Sequence, residues 1–136
     1  MLASITDVRY IPFKDKSFHL DNYCFDSHPE NKIFYNLLQE DKVQKIWYTG
    51  MLTHGRSDFV IHYIDHVSHT LRSYYPDFLL QLKDGRYIIL EVKADHMIDD
   101  EVVKAKEKYA NQLVLANQMS YMLIPSSSIM DNSFVL

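Results

Sequence analysis

The chain has 136 residues, is 47% hydrophobic, and carries a formal net charge of −4 with a pI near 5.9. That supports one core of ordinary size and excludes a second full domain, while the acidic balance excludes broad electrostatic binding to nucleic acid, which needs a basic face to displace phosphate counterions. Any such contact must be local, and the single cysteine, Cys24, excludes a disulfide framework and fits a reducing cytoplasm.

No apolar run reaches the roughly 20 residues needed to cross a bilayer, and no basic segment followed by an apolar stretch opens the chain, so the expectation is a soluble, cytoplasmic protein without a membrane partner. Residues 1–25 hold two short β-like pieces, "VRYIPF" and "SFHL", broken by Pro12 and by charges. They predict an edge ribbon or an arm preceding a domain over 26–136. In "DSHPENKIFYNLLQED", Ser27 can cap a helix, Pro29 suits its first turn, and Ile33, Phe34, Leu37 and Leu38 recur at helical spacing. "KVQKIWYTGML" follows as a strand through Ile46 and Tyr48, ending near Gly50. "SDFVIHYIDHVSHTLRSYYPDFLLQL" reads as two strands separated by a polar turn around 65–70.

Beyond Lys83, Asp84 and Gly85, "RYIILEVKA" has the composition of a central strand. A second helix starts near Asp99 or Asp100, with a predicted apolar stripe of Val102, Ala105, Tyr109, Leu113 and Ala116. "SYMLIP" supplies a last strand. Helix, three or four strands, helix and strand together predict an α/β fold: a mixed sheet flanked by helices.

The chemistry-bearing feature is a set of charges inside apolar strands: Asp77 before Phe78-Leu79-Leu80, and Glu91 and Lys93 after Ile88-Ile89-Leu90. A charge on a half-buried strand costs several kcal/mol unless it is paired, hydrogen-bonded or metal-bound. A two-residue loop at Asp84-Gly85 would set Asp77 opposite Val92 and separate the charges. A three-residue loop of Lys83, Asp84 and Gly85, with Gly85 in a left-handed bulge, sets Asp77 opposite Glu91 instead. Two carboxylates so placed repel unless a cation lies between them. Mg²⁺ prefers oxygen ligands and takes one or two from the protein, and Lys93, on the same face, could orient or deprotonate a water or stabilise charge on a phosphate. A surface cluster with an ordinary Lys93 salt bridge is the competing reading.

Pro76-Asp77, a turn, then Glu91-Val92-Lys93 resembles the PD-(D/E)XK nuclease signature. More narrowly, "FDSHPENKIFYNLL", "YTGMLTHGRSDFVIHYID" and "RSYYPDFLLQLKDGRYIILEVKAD" resemble the C-terminal nuclease domain of type III restriction endonuclease Res subunits, over about residues 24–124. The resemblance implies a restriction-endonuclease-like fold and Mg²⁺-dependent cleavage of DNA, with Mn²⁺ as a substitute. It implies Asp77 and Glu91 as metal ligands, the Val92 backbone carbonyl as a further one, Lys93 as the catalytic lysine and Glu30 as the first-helix glutamate. It also implies a helicase/ATPase module on the same full-length polypeptide and a modification methyltransferase subunit. A catalytically silent nuclease fold, or a nuclease for RNA or single strands, are the alternatives.

Weaker signals surround these. Ser27-x-x-Glu30 is also a capping box, which alone would explain Glu30, although the residue lies on the inward helix face. His62, His66 and His69, with Asp58 and Asp65 nearby, have a spacing that could suggest a transition-metal site, and His28 and His54 could lie near the acids, but solvated loop histidines are commoner. Lys104 and Lys108 share a helix face and are the better candidates for phosphate contact than Lys106, with Tyr75 or Tyr74 as stacking residues; Gln112 and Tyr121 read as packing residues.

Overall fold

The computed structural model describes residues 2–18, 21–49, 61–65 and 68–136. Within them, the chain forms a mixed sheet with a helix on each face. The first short strands, β1 (Leu2–Ser4) and β2 (Asn22–Cys24), pair antiparallel. The ribbon expected at this end exists, but on other residues: "VRYIPF" contains a 3-10 turn at Ile11–Phe13 instead of a strand, because Pro12 fixes a turn-compatible φ and cannot donate to a ladder. Ser17 and Phe18 of "SFHL" are not in a strand, and the rest of that piece lies outside the described residues. Ala3, Tyr10, Phe18, Tyr23 and Phe25 join the main core rather than standing off as an arm.

Helix α1 (His28–Leu38) follows, capped as the sequence predicts: Ser27 Oγ accepts from the Glu30 N–H at 3.3 Å, and Glu30 Oε2 accepts from the Ser27 N–H at 3.1 Å. Its inward Ile33, Phe34, Leu37 and Leu38 pack on one sheet face against Val43, Ile46, Tyr48, Phe78, Leu80 and Leu90. Aromatic rings lock this layer, with Phe25 and Tyr48 centroids 4.6 Å apart and Phe34 and Phe78 stacked at 6.3 Å.

Strand β3 (Val43–Tyr48) pairs antiparallel with β6 (Phe78–Leu82), β6 with β7 (Tyr87–Lys93), and β7 runs parallel to β8 (Ser120–Pro125). The sheet order is β3-β6-β7-β8, with the strand "RYIILEVKA" internal, as its continuous apolar run predicts. A parallel return needs a crossover, supplied by α2 (Glu101–Ala116), whose N-cap Asp100 accepts from Val102 N–H at 2.9 Å and Val103 N–H at 3.3 Å. A short α3 (Ser126–Met130) packs beside α1.

The stretch expected as two strands from residue 61 onward is three. Strands β4 (Ile61–Ile64) and β5 (Leu71–Tyr74) form a separate antiparallel hairpin, and β6 starts only after Tyr75, Pro76 and Asp77. Pro76 causes the break: it lacks the N–H that a continuous strand would have to donate. The predicted α2 stripe holds at Ala105, Tyr109 and Leu113, which are buried or packed on the core, and fails at its two ends. Val103, Ala105, Ala110 and Val114 are its buried positions, whereas Val102 and Ala116 are exposed. Ala110 and Val114 pack on Ile61 and Ile89, covering the second sheet face.

The hairpin register follows the three-residue loop. Phe78 pairs with Leu90 and Gln81 with Tyr87, Leu82 N–H donates to Arg86 C=O at 2.8 Å, and Gly85 N–H closes the turn on Leu82 C=O at 2.9 Å. Gly85 has φ +92° with nothing near a potential Cβ, so substitution there strains the backbone without a steric collision. Gly85→Val is expected to destabilise the chain by about 1–2 kcal/mol and Gly85→Asn by less, as read by urea midpoints. Equal midpoints for all three residues would show that the turn tolerates another geometry.

Candidate active site

Continuing the β6–β7 pairing by one residue past Phe78 and Leu90 sets Asp77 opposite Glu91, on the face shared by Leu79, Ile89 and α2. Leu82 and Arg86 are a hydrogen-bonded pair, and such pairs alternate along an antiparallel ladder, so the next ones are 80/88, 78/90 and then 76/92. At that last pair the ladder fails, because Pro76 has no N–H to give the Val92 carbonyl. The Val92 N–H instead donates to Asp77 Oδ2 at 2.8 Å, and the Pro76 carbonyl accepts from Thr49 Oγ1. Proline thus ends the strand, lets the adjacent aspartate cap its neighbour, and leaves the Val92 carbonyl without a ladder donor from Pro76.

Glu91 is 3% exposed, with Lys93 Nζ 3.9 Å from its Oε2. Its other oxygen, Oε1, is buried and has no hydrogen-bond partner among the described residues. Such an oxygen costs on the order of 1–3 kcal/mol or more in an apolar setting unless something else occupies it. Glu30 reaches the same cluster from α1: it is buried, its Oε2 also accepts from Asp26 N–H at 3.0 Å, and its carboxyl hydrogen-bonds that of Asp77. The capping role and the inward role predicted as alternatives for Glu30 therefore coexist.

Burial, joined for Glu30 and Glu91 by the charge of Asp77, perturbs all three. Burial, and then the Asp77 charge and the hydrogen bond to its carboxyl, push Glu30 up to about 7. Burial raises Asp77 despite the Val92 N–H and Lys93. Glu91 is raised well above the usual carboxylate range, by burial first and the Asp77 charge second, with Lys93 and Lys106 opposing. Three phenols border these acids. Tyr48 is pushed up by burial and by Glu30, and Tyr74 and Tyr121 by burial and by Glu91. All three stay neutral near pH 7.

The chain matches the model of the TnsA-like endonuclease N-terminal family over residues 44–126, from β3 to the start of α3, a span holding Asp77, Glu91 and Lys93. The chain belongs to this endonuclease family. Its members have the restriction-endonuclease-like fold, in accord with the mixed sheet flanked by helices described above. No curated protein matches the chain. The PD-(D/E)XK expectation of the sequence thus meets an endonuclease family, though the matching model is not that of Res subunits.

Other expected residues of this endonuclease domain lie on α1, β4 and α2 and in the connections on either side of β5. Lys104 is exposed, with Nζ 3.5 Å from Asp99, and Lys108 is exposed on the same outer face of α2. Tyr75 is half-buried in the connection between β5 and β6. Gln112 is exposed on α2. His62 is exposed on β4, His69 sits in the turn after it and His28 is exposed at the start of α1, while His54, Asp58 and His66 lie outside the described residues. Among the described residues no three His, Cys, Asp or Glu side chains form a preformed metal cage, and none forms a helix long and apolar enough to cross a membrane.

One residue that sequence spacing set aside does reach the cluster. Lys106 is half-buried on the inward face of α2, and its charge acts on both Glu91 and Lys93. A signal existed: counted from Val103, steps of three, four and four lead through Lys106 to Ala110 and Val114.

Proposed function

We propose that this chain is a Mg²⁺-dependent endonuclease domain that hydrolyses DNA phosphodiesters, with water as nucleophile. Endonuclease chemistry is the family's; the metal and the substrate are our reading. The observation that carries it is Asp77 held opposite Glu91, with the unpartnered Glu91 Oε1 between apolar layers and Lys93 alongside. Asp77 and Glu91, with the Val92 carbonyl, would hold the ion. This all-oxygen set fits Mg²⁺, which needs only one or two carboxylates from the protein, and Mn²⁺ would substitute. When bound, the ion supplies Lewis-acid polarisation of the phosphate and lowers the pKa of water.

The chain's own residues do the rest. The Val92 N–H fixes one oxygen of Asp77, so the carboxylate keeps its orientation when charged. Glu30 stands behind it as a proton-sharing support, tied down by two backbone donors. Lys93, with a side chain 31% exposed, would both orient the attacking water and meet the negative charge that grows on the phosphate as the P–O bond to the leaving oxygen breaks.

The net charge of −4 supports DNA delivery by another module. A helicase/ATPase on the same polypeptide with a methyltransferase subunit, as in type III restriction enzymes, is the finer form of this reading, supported by the stretches around Ser27–Leu38 and Arg72–Asp95. Incubation of supercoiled plasmid with the protein and Mg²⁺ tests the core claim. Nicking or linearisation is expected, Lys93→Ala is expected to slow it by about 10²-fold or more, and chelator is expected to stop it. Identical background in both proteins would leave a silent nuclease fold, and faster cleavage of RNA or single strands would reassign the substrate.

A further inference from the structure

Lys106 occupies a position of α2 where an apolar residue would be expected. Ala110, one turn later, packs on Ile89 of β7, and the crossover runs α2 antiparallel to that strand. One helical turn back from Ala110 is about 5–6 Å, and two residues forward from Ile89 is about 6–7 Å, so Lys106 comes level with Glu91 on the same face. Burying a lysine stem there is tolerable because its ammonium lies against two rings, 5.1 Å from the Tyr74 centroid and 5.6 Å from that of Tyr63. Tyr74 also donates its hydroxyl to the Lys106 carbonyl at 3.5 Å, tying β5 to this turn of α2.

The ammonium itself makes no hydrogen bond or salt bridge among the described residues, so the rings fix it in place without consuming its three donors. Burial, followed by the Lys93 charge, lowers its pKa, while Glu91 and Asp77 act in the opposite direction.

We propose that Lys106 is a second phosphate-binding cation of this active site, presented with Lys93 to a bound phosphodiester by a clamp of Tyr63 and Tyr74. This rests on the endonuclease reading above. The charge balance favours it: with Asp77 and Glu91 neutralised by a divalent ion, two ammonium groups are left facing the site, matching a phosphodiester that gains negative charge as it is attacked. Lys104 and Lys108, on the outer face of the helix, have no such access.

Lys106→Met keeps the length of the stem and removes the charge. At saturating Mg²⁺ and plasmid, its cleavage rate is expected to fall at least about tenfold. Independently of turnover, binding of a short fluorescent duplex in Ca²⁺ should lose about one unit of slope in log affinity against log salt, and Lys106→Arg should recover it. If Lys106 only balances the carboxylates, Lys106→Met will bind Mg²⁺ more tightly with unchanged rate and slope, which overturns the proposal. Thermal melting checks folding, and Lys106→Gln replaces the methionine variant should that one not fold. A wild type that cleaves nothing removes the endonuclease reading, whereas the salt slope still decides whether Lys106 meets phosphate.

Discussion

Asp77→Asn is expected to be catalytically dead yet more heat-stable than the wild type when both are free of metal at pH 8. The amide oxygen can still accept from Val92 N–H, so the strand end keeps its cap, while a negative charge disappears from between Glu30 and Glu91, both of which Asp77 pushes upward. Relief of like-charge repulsion at a buried site is worth on the order of 1–2 kcal/mol, or a few degrees in Tm for a chain of this size. Cleavage should drop by about 10³-fold or more, because a charged ligand has become neutral. Asp77→Ala should melt below Asp77→Asn, since it also strips Val92 N–H of its acceptor. Mg²⁺ should raise the Tm of the wild type and leave Asp77→Asn almost unmoved. Retained cleavage in Asp77→Asn would remove this carboxylate from the chemistry.

Without metal, stability should fall as the pH rises from mildly acidic to mildly alkaline. Glu30 binds its proton more tightly folded than unfolded, releasing it at about 7 instead of near 4.5, and Asp77 and Glu91 are displaced in the same direction. A raised folded-state value means that the stabilisation is fully present below the unfolded value and is lost as the pH climbs through the folded one. Exposed Asp84, Asp95 and Asp131 behave oppositely: hydrogen bonds to Arg86, Ser127 and Ser133 hold them below the usual range, so what they contribute is lost in stronger acid. The metal-free protein should therefore melt highest in mild acid, several degrees above its Tm at pH 8. Saturating Mg²⁺ should flatten the decline, and Asp77→Asn should lose its advantage over the wild type near pH 5. A Tm in chelator that holds or rises from pH 5.5 to 8 would contradict the crowded-acid account.

The two results rest on a site whose parts differ in how local they are. Ser27 and Glu30 are three residues apart, so the capping box could be read directly, and the short loop at Gly85 admits few geometries, so glycine in the left-handed position fixed the register that joins Asp77 to Glu91. What lay between distant segments could not be read that way. That the Glu30 carboxyl meets Asp77 depends on how α1 lies across the sheet, which no spacing encodes. Nor could the sequence say that β5 and β6 belong to different sheets, because Tyr74 and Phe78 are equally strand-like and only the missing donor of Pro76 separates them.

Lys106 is the clearest case. Val102 and Val103 lie side by side in "EVVKAKEKYANQLVLA", and an alanine or leucine can be found on either face, so the apolar period fits two phases about 100° apart. The sequence by itself determined the acids, the lysine two residues beyond the second of them and the turn that aligns them, since those rest on neighbouring residues and backbone geometry. Only packing against Ile61 and Ile89 decided which way α2 faces, and with it that half-buried Lys106, rather than the exposed pair beside it, lies on the helix side whose charge reaches Glu91. The physical reason is that burial is a contest between whole surfaces, settled by what the helix lands on.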